Sequence, residues 1–253
     1  MRGASWWDQA LAALQRGELR RIFDDLPVGV PADRFLARLE ERLDAIMSEG
    51  VSRILEALPV GDLQVQLNIC YFNAWGEIRS VDTFAQQVIR LGARYPDLKH
   101  VVVRQMEDEM RHFKLYDAAA VRMGGQPVLE TSPQEKAGSL YRMFAYCDSE
   151  CSEDVREQIF SCQFVDERFP LHLFSRLKEH PGVHPEFRQA LEKIVPDEVF
   201  HVRGVGRMAA ELLAAEGEAR QRRMLDLAAR ILPYTLADKS GEFLGTSGGS
   251  AAA

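Results

Sequence analysis

Long stretches between helix breakers constrain this chain more than any other feature. Gly92, Gly124–Gly125, Pro181–Gly182 and Pro233 punctuate a sequence whose apolar residues otherwise recur at three- and four-residue steps. Alternating apolar–polar runs are short, and Val101–Val103 is the main β-branched run. The chain is therefore expected to be all-α. Four long core helices are predicted. The first covers about 62–91 and stops at Gly92. The second starts after Pro96, with Asp97 placed to cap it, and ends at Gly124–Gly125. The third covers about 152–179, and the fourth runs from Pro185 to about Ala215.

Accessory helices flank this core. Ser5 can cap a helix carrying Trp6, Trp7, Leu11 and Leu14, and a Pro/Gly-rich break from Leu26 to Pro31 follows. Phe35, Leu36, Leu39, Leu43 and Ile46 mark a second helix, after which a short apolar segment leads to Pro59. Between the second and third core helices, residues 126–150 read as a connection with a helix around Leu140 to Tyr146. A last helix is expected over about 219–232, before Pro233. Residues 1–244 are expected to form one domain and the Gly/Ser/Ala-rich residues 245–253 a disordered tail.

With 253 residues the chain can bury a substantial core. Its net charge of −7, with Lys and Arg scattered, argues against nucleic acid or an anionic membrane as partner. No basic-then-apolar leader and no apolar run of about 18–20 residues is seen, so a cytoplasmic location is expected. Cys70, Cys147, Cys151 and Cys162 form no C-x-x-C pair, and buried, reduced thiols are the expectation.

The motif that carries chemistry occurs twice. Asp108-Glu109-Met110-Arg111-His112 lies in the second core helix and Asp197-Glu198-Val199-Phe200-His201 in the fourth. Both read D-E-x-x-H. Residues three apart project from nearly the same face of a helix, so one carboxylate and one imidazole can hold one side of a metal ion. A single copy says little; two copies in a chain with six histidines say more. Di-metal carboxylate bundles add one Glu from each of two further helices. Glu77 in the first core helix and Glu167 in the third are the candidates. Glu77 precedes Glu109 by 32 residues and Glu167 precedes Glu198 by 31. Nearly equal arms on either side of each turn set the paired carboxylates at similar heights in two antiparallel hairpins.

In this order and spacing the chain resembles the ferritin-like di-iron carboxylate oxidoreductases over roughly residues 62–215. That superfamily includes bacterial multicomponent monooxygenase subunits, acyl-carrier desaturases, aldehyde-deformylating oxygenases and ribonucleotide reductase small subunits. The resemblance implies a ferritin-like four-helix bundle with accessory N- and C-terminal helices. It implies Glu77, Glu109, His112, Glu167, Glu198 and His201 as ligands of two iron ions, with manganese or a mixed Fe/Mn pair as alternatives. It also implies that Asp108 orients His201 and that Asp197 orients His112.

Four ionised carboxylates balance two divalent cations, which suits a buried reduced site, and the resemblance implies O₂ as co-substrate. The expected function is a monooxygenase or oxidase acting on a small organic or acyl substrate, by hydroxylation, N-oxygenation, desaturation or C–C cleavage. A homodimer is the expected assembly, with electrons from an external reductase or ferredoxin. Ferroxidase or peroxide-scavenging activity, as in ferritins and rubrerythrins, and a structural role in an oxygenase complex are the competing readings. Ferritins lack a histidine in their second motif and rubrerythrins usually carry a rubredoxin module, so both point back to the oxygenase class. Asn73, Ala74, Gly76, Gln105, Phe113, Phe160, Phe164 and Val202 are the residues expected near a substrate space, and Pro196 is expected to bend the fourth helix in the service of packing.

Overall fold

The structure is a computed structural model that describes residue 10, residues 12–14 and residues 16–238. The predicted helix around Trp6, Trp7 and Leu11 and the tail 245–253 lie outside the described residues. Every regular element among the described residues is helical. Nine α-helices among them follow in order: α1 Ala32–Ala57, α2 Leu63–Leu91, α3 Pro96–Arg122, α4 Pro133–Ala145, α5 Val155–Ile159, α6 Arg168–Leu177, α7 Pro185–Phe200, α8 Arg207–Ala214 and α9 Glu218–Pro233. Four π-helical segments interleave with them: Tyr146–Glu150, Phe160–Asp166, His201–Gly206 and Tyr234–Asp238.

Local chemistry sets the helix ends. The Asp62 carboxylate accepts from the Gln64 amide at 2.7 Å and caps α2. Gly92 closes it at φ +57°, a left-handed conformation that favours glycine. Helix α3 begins at Pro96, with Tyr95 in the cap position. Asp97 therefore sits inside the first turn, where its charge meets the positive end of the helix, and not at the cap. The predicted third core helix is two helices joined by a π segment, and Asp154, two residues later than expected, caps it through the Arg156 amide. The fourth is likewise split, into α7 and α8 around the π segment His201–Gly206.

Three further expectations need correction. Helix α1 does not end near Ile46; Val51 and Ile54 continue its buried stripe to Ala57. The 126–150 connection holds a longer helix than predicted, because Ser132 accepts from the Glu135 amide and Pro133 starts the turn. Pro196 lies in α7 but is exposed, so it neither fills the core nor borders the acidic cluster described below.

The helices that bear the motifs close a ring. Helix α2 packs along α3, α3 against α7, α7 against α6, and α2 also against α5. The two π segments Phe160–Asp166 and His201–Gly206 pack on each other. A Cβ on Gly206 would lie 2.6 Å from the Gln163 carbonyl oxygen, so only glycine permits this approach. Phe35, Leu36, Leu39 and Leu43 on α1 are fully buried, and α1 packs on α6 and α8. A polar seam runs along the same contact. Arg168 donates to Asp44 at 2.7 Å and to Glu40 at 3.3 Å, and Arg207 donates to Glu40 at 2.5 Å. Arg176 reaches Ser48 at 2.7 Å.

Candidate metal centre

Glu77 projects from the middle of α2 and Glu109 and His112 from the middle of α3. Glu167 follows the π segment that precedes α6, Glu198 lies near the end of α7, and His201 opens the next π segment. The structure brings all six side chains together. Two overlapping groups have donor atoms within 4.8 Å of one another: Glu77–Glu109–His112 and Glu109–Glu167–His201. His112 and His201 are fully buried, and Glu109 and Glu198 nearly so.

The carboxylates differ in how many histidines they face. Glu109 directs Oε2 to His112 Nδ1 and Oε1 to His201 Nδ1, each at 3.3 Å. Glu198 directs Oε1 to His112 Nδ1 and Oε2 to His201 Nδ1, each at 3.5 Å. Both carboxylates thus span the cluster. Glu77 lies 4.0 Å from His112 Nδ1 and belongs to that side alone. Glu167 groups with His201 on the other side. The imidazole centroids are 5.6 Å apart.

An outer layer of charge fixes the rings. His112 Nε2 lies 3.2 Å from Asp197 Oδ2 in hydrogen-bond geometry. His201 Nε2 lies 3.5 Å from Asp108 Oδ2 without that alignment. Each motif's Asp therefore faces the histidine of the other motif. Arg111, half-exposed, donates to Asp197 at 2.9 Å and also to Asp108. Phe200 stands in the second motif where Arg111 stands in the first, and the Arg104 guanidinium lies 3.8 Å over its ring.

Crowding sets the protonation of these groups. Burial pushes the Glu77 carboxyl well up, and the charge of Glu109 adds to it. Burial raises Glu167 as well, followed by Glu198 and Glu109. Burial also opposes ionisation of Glu109, but His201 and His112 hold it down to about 2. Burial opposes charge on His112, yet Asp197, Glu109 and Glu198 lift it to about 9. His201 rises against its burial through Glu109, Asp108 and Glu198.

These residues fit a bound cation. The inward Nδ1 atoms of His112 and His201 and Oε2 of Glu198 are buried without a hydrogen-bond partner. Buried polar atoms are rarely left so, and three orphans facing one centre are donors aimed at a shared guest. The outward Asp residues would hold each ring with Nδ1 free to coordinate.

Two neighbours have parts that the sequence did not reveal. Gln105, expected near a substrate space, donates its amide to Glu109 at 3.1 Å and Glu167 at 3.3 Å, tying a carboxylate that faces both histidines to one on the His201 side. Tyr116, one turn beyond His112, is fully buried with its hydroxyl unpartnered. Burial raises its phenol, and Glu77 and Glu198 add to the shift. The i, i+4 step from His112 was the available signal.

A cavity adjoins the cluster, with about 480 Å³ of empty space, part of it open to solvent. Glu77, Glu167 and Glu198 form one wall, and Phe72, Met143, Phe144, Phe169 and Leu173 are among the apolar residues of the others. Of the eight residues expected near a substrate space, Asn73 and Gly76 line it. Ala74, Phe160, Phe164 and Val202 are buried elsewhere in the interior, and Phe113 is half-buried. The four cysteines are buried free thiols. Among the described residues no helix is long and apolar enough to cross a membrane.

Fold and site together define an all-helical protein with a buried carboxylate–histidine cluster that can hold a metal ion. No protein-family model, no curated protein and no solved structure matches the chain.

Proposed function

We propose that this protein is a ferritin-like di-iron oxidoreductase that uses O₂ to oxidise a small organic or acyl substrate. One observation carries the reading: Glu109 and Glu198 each turn one oxygen toward each of two histidines. That arrangement suits two cations side by side, with Glu77 and His112 completing one position and Glu167 and His201 the other. Four carboxylates and two imidazoles favour iron or manganese over zinc, which takes fewer ligands in its structural sites. Two ferrous ions bound here would supply electrons to O₂ and the oxidising power for the substrate.

The chain's own groups have separable tasks. Asp197 and Asp108 orient the imidazoles, and Gln105 holds Glu109 and Glu167 at a fixed spacing. The aromatic and aliphatic walls of the cavity would place an apolar molecule beside Glu77, Glu167 and Glu198. This cavity favours oxidation of an organic molecule over iron storage, which needs no such space. Electrons would come from an external donor.

Anaerobic titration with ferrous iron tests the reading. About two irons per chain are expected, with Mössbauer parameters of a coupled pair after O₂ exposure. Fewer than one iron per chain would overturn it, and steady growth of ferric mineral would move the assignment to iron storage.

A further inference from the structure

Helix α4 is not one of the four helices that carry the cluster, yet it closes the cavity. Leu140, Met143 and Phe144 from α4 stand opposite Gly76 and Glu77 of α2. A Cβ built on Gly76 would lie 2.6 Å from Leu140 Cδ1. Gly76 is thus a notch in α2, and the tip of Leu140 fills it, next to a carboxylate of the cluster. Leu140 is buried, and the cavity lies against it.

The wall is held from both ends. Ahead of α4, Trp75 Nε1 donates to Thr131 Oγ1 at 2.8 Å. Beyond it, Asp148 pairs with Arg79 and accepts from Thr83 Oγ1 at 3.3 Å. Between these anchors the helix is broken at Ala137, where φ is −147°. The segment bearing Leu140, Met143 and Phe144 starts just after that break. Over α2 it meets Gly76 through Leu140, and the Arg79 guanidinium lies 5.8 Å over the Phe144 ring.

We infer that Leu140, seated against Gly76, sets the depth of the cavity and so the size of apolar molecule that reaches the acidic cluster. The role of the cavity as a substrate site rests on the di-iron reading above; the size rule concerns only these two residues.

The test uses the full-length, metal-free protein and a homologous series from toluene to butylbenzene, with binding read by ligand-observed NMR and thermal shift. Leu140→Ala removes three carbons from the wall. It should move the best-bound member toward a longer chain by about two carbons and tighten butylbenzene about tenfold. Gly76→Ala should push Leu140 into the cavity and weaken the longer members about fivefold or more. The double variant should return toward the wild-type preference, because the methyl added to α2 then meets the space vacated by the leucine tip. Leu140→Val serves if the alanine variant loses helicity, with a smaller shift in the same direction. An unchanged length preference in folded single variants overturns the inference, as does failure of the wild-type protein to bind any of the series. Iron stoichiometry, measured separately on the same variants, should stay near two per chain. Its absence from wild type would count against the metal reading and leave the size rule standing.

Discussion

The two halves of the cluster offer the same residue types on different backbones. In the first half, Glu77, Glu109 and His112 project from two long α-helices, α2 and α3, with no irregularity between Leu63 and Leu91 or Pro96 and Arg122. In the second, Glu167 follows one π-helical segment and His201 begins another. A π turn holds an extra residue, so it rotates the side chains that follow relative to the stripe before them. The second half reaches the geometry of the first only by this detour. Matching donors can thus be delivered by unlike backbones, and the irregular half is the one with Gly206 pressed against a neighbouring chain segment.

The sharpest way to break the comparison is through a residue that faces both halves. Glu109 belongs to both donor groups, so Glu109→Ala should reduce iron loading from about two per chain to near zero. Glu77→Ala and Glu167→Ala should each leave about one. Metal analysis after anaerobic loading decides, and equal losses in all three variants would deny that the halves are distinct.

A smaller effect is expected at Gly206. Alanine there meets backbone, not a movable side-chain tip, so Gly206→Ala should cost about 1–3 kcal/mol of stability. Denaturant unfolding measures this. Occupancy on the Glu167–His201 side should fall first, and even loss from both sides would contradict the assignment of the π segments to one half.

Next come the outer carboxylates. Asp197 is aligned with its histidine and Asp108 is not. Asp197→Asn should therefore lower metal affinity about tenfold, and Asp108→Asn by less. A competitive chelator titration ranks the two.

The smallest effect is on pH dependence. In metal-free protein His112 is raised to about 9, so the stability it lends is complete below about 6.5 and is lost as pH climbs through 9. Glu77 and Glu167 are raised too, and their carboxyls favour the folded state when protonated, so they also favour lower pH. Glu109, held down to about 2, acts oppositely; its contribution is present above about 4.5 and lost as pH falls through 2. The melting temperature of the metal-free protein should therefore decline between about pH 6.5 and 9. Bound metal should flatten or reverse that slope, because cations replace the protons.

The straight half was legible in the sequence and the bent half only in part. Gly92, Pro96 and the doubled D-E-x-x-H spacing located α2, α3 and the six candidate side chains, because breakers and i, i+3 pairs are local signals. The π segments left no mark in the apolar stripe, since Phe160, Phe164 and Val205 are apolar and buried like the residues of the regular helices beside them. Gly206 was the available clue, a glycine inside a helical pattern, but its close approach is a tertiary fact. The extent of α4 was also readable, from Ser132, Pro133 and Glu135 together. The helix expected around Leu140 to Tyr146 holds Leu140, Met143 and Phe144, but its placement against α2 is a tertiary fact with no local signal.

The seam between α1 and its neighbours gives an accessory element a mechanical duty. Arg168 is the first residue of α6 and Arg207 the first of α8, so each stands at the exit of a π-helical turn. Both guanidiniums close on one carboxylate, Glu40, at 3.3 and 2.5 Å. Helix α1 is therefore a splint laid across two π-helical joints of the ring, and the side chains mounted beside those joints are braced by a helix that carries none of them.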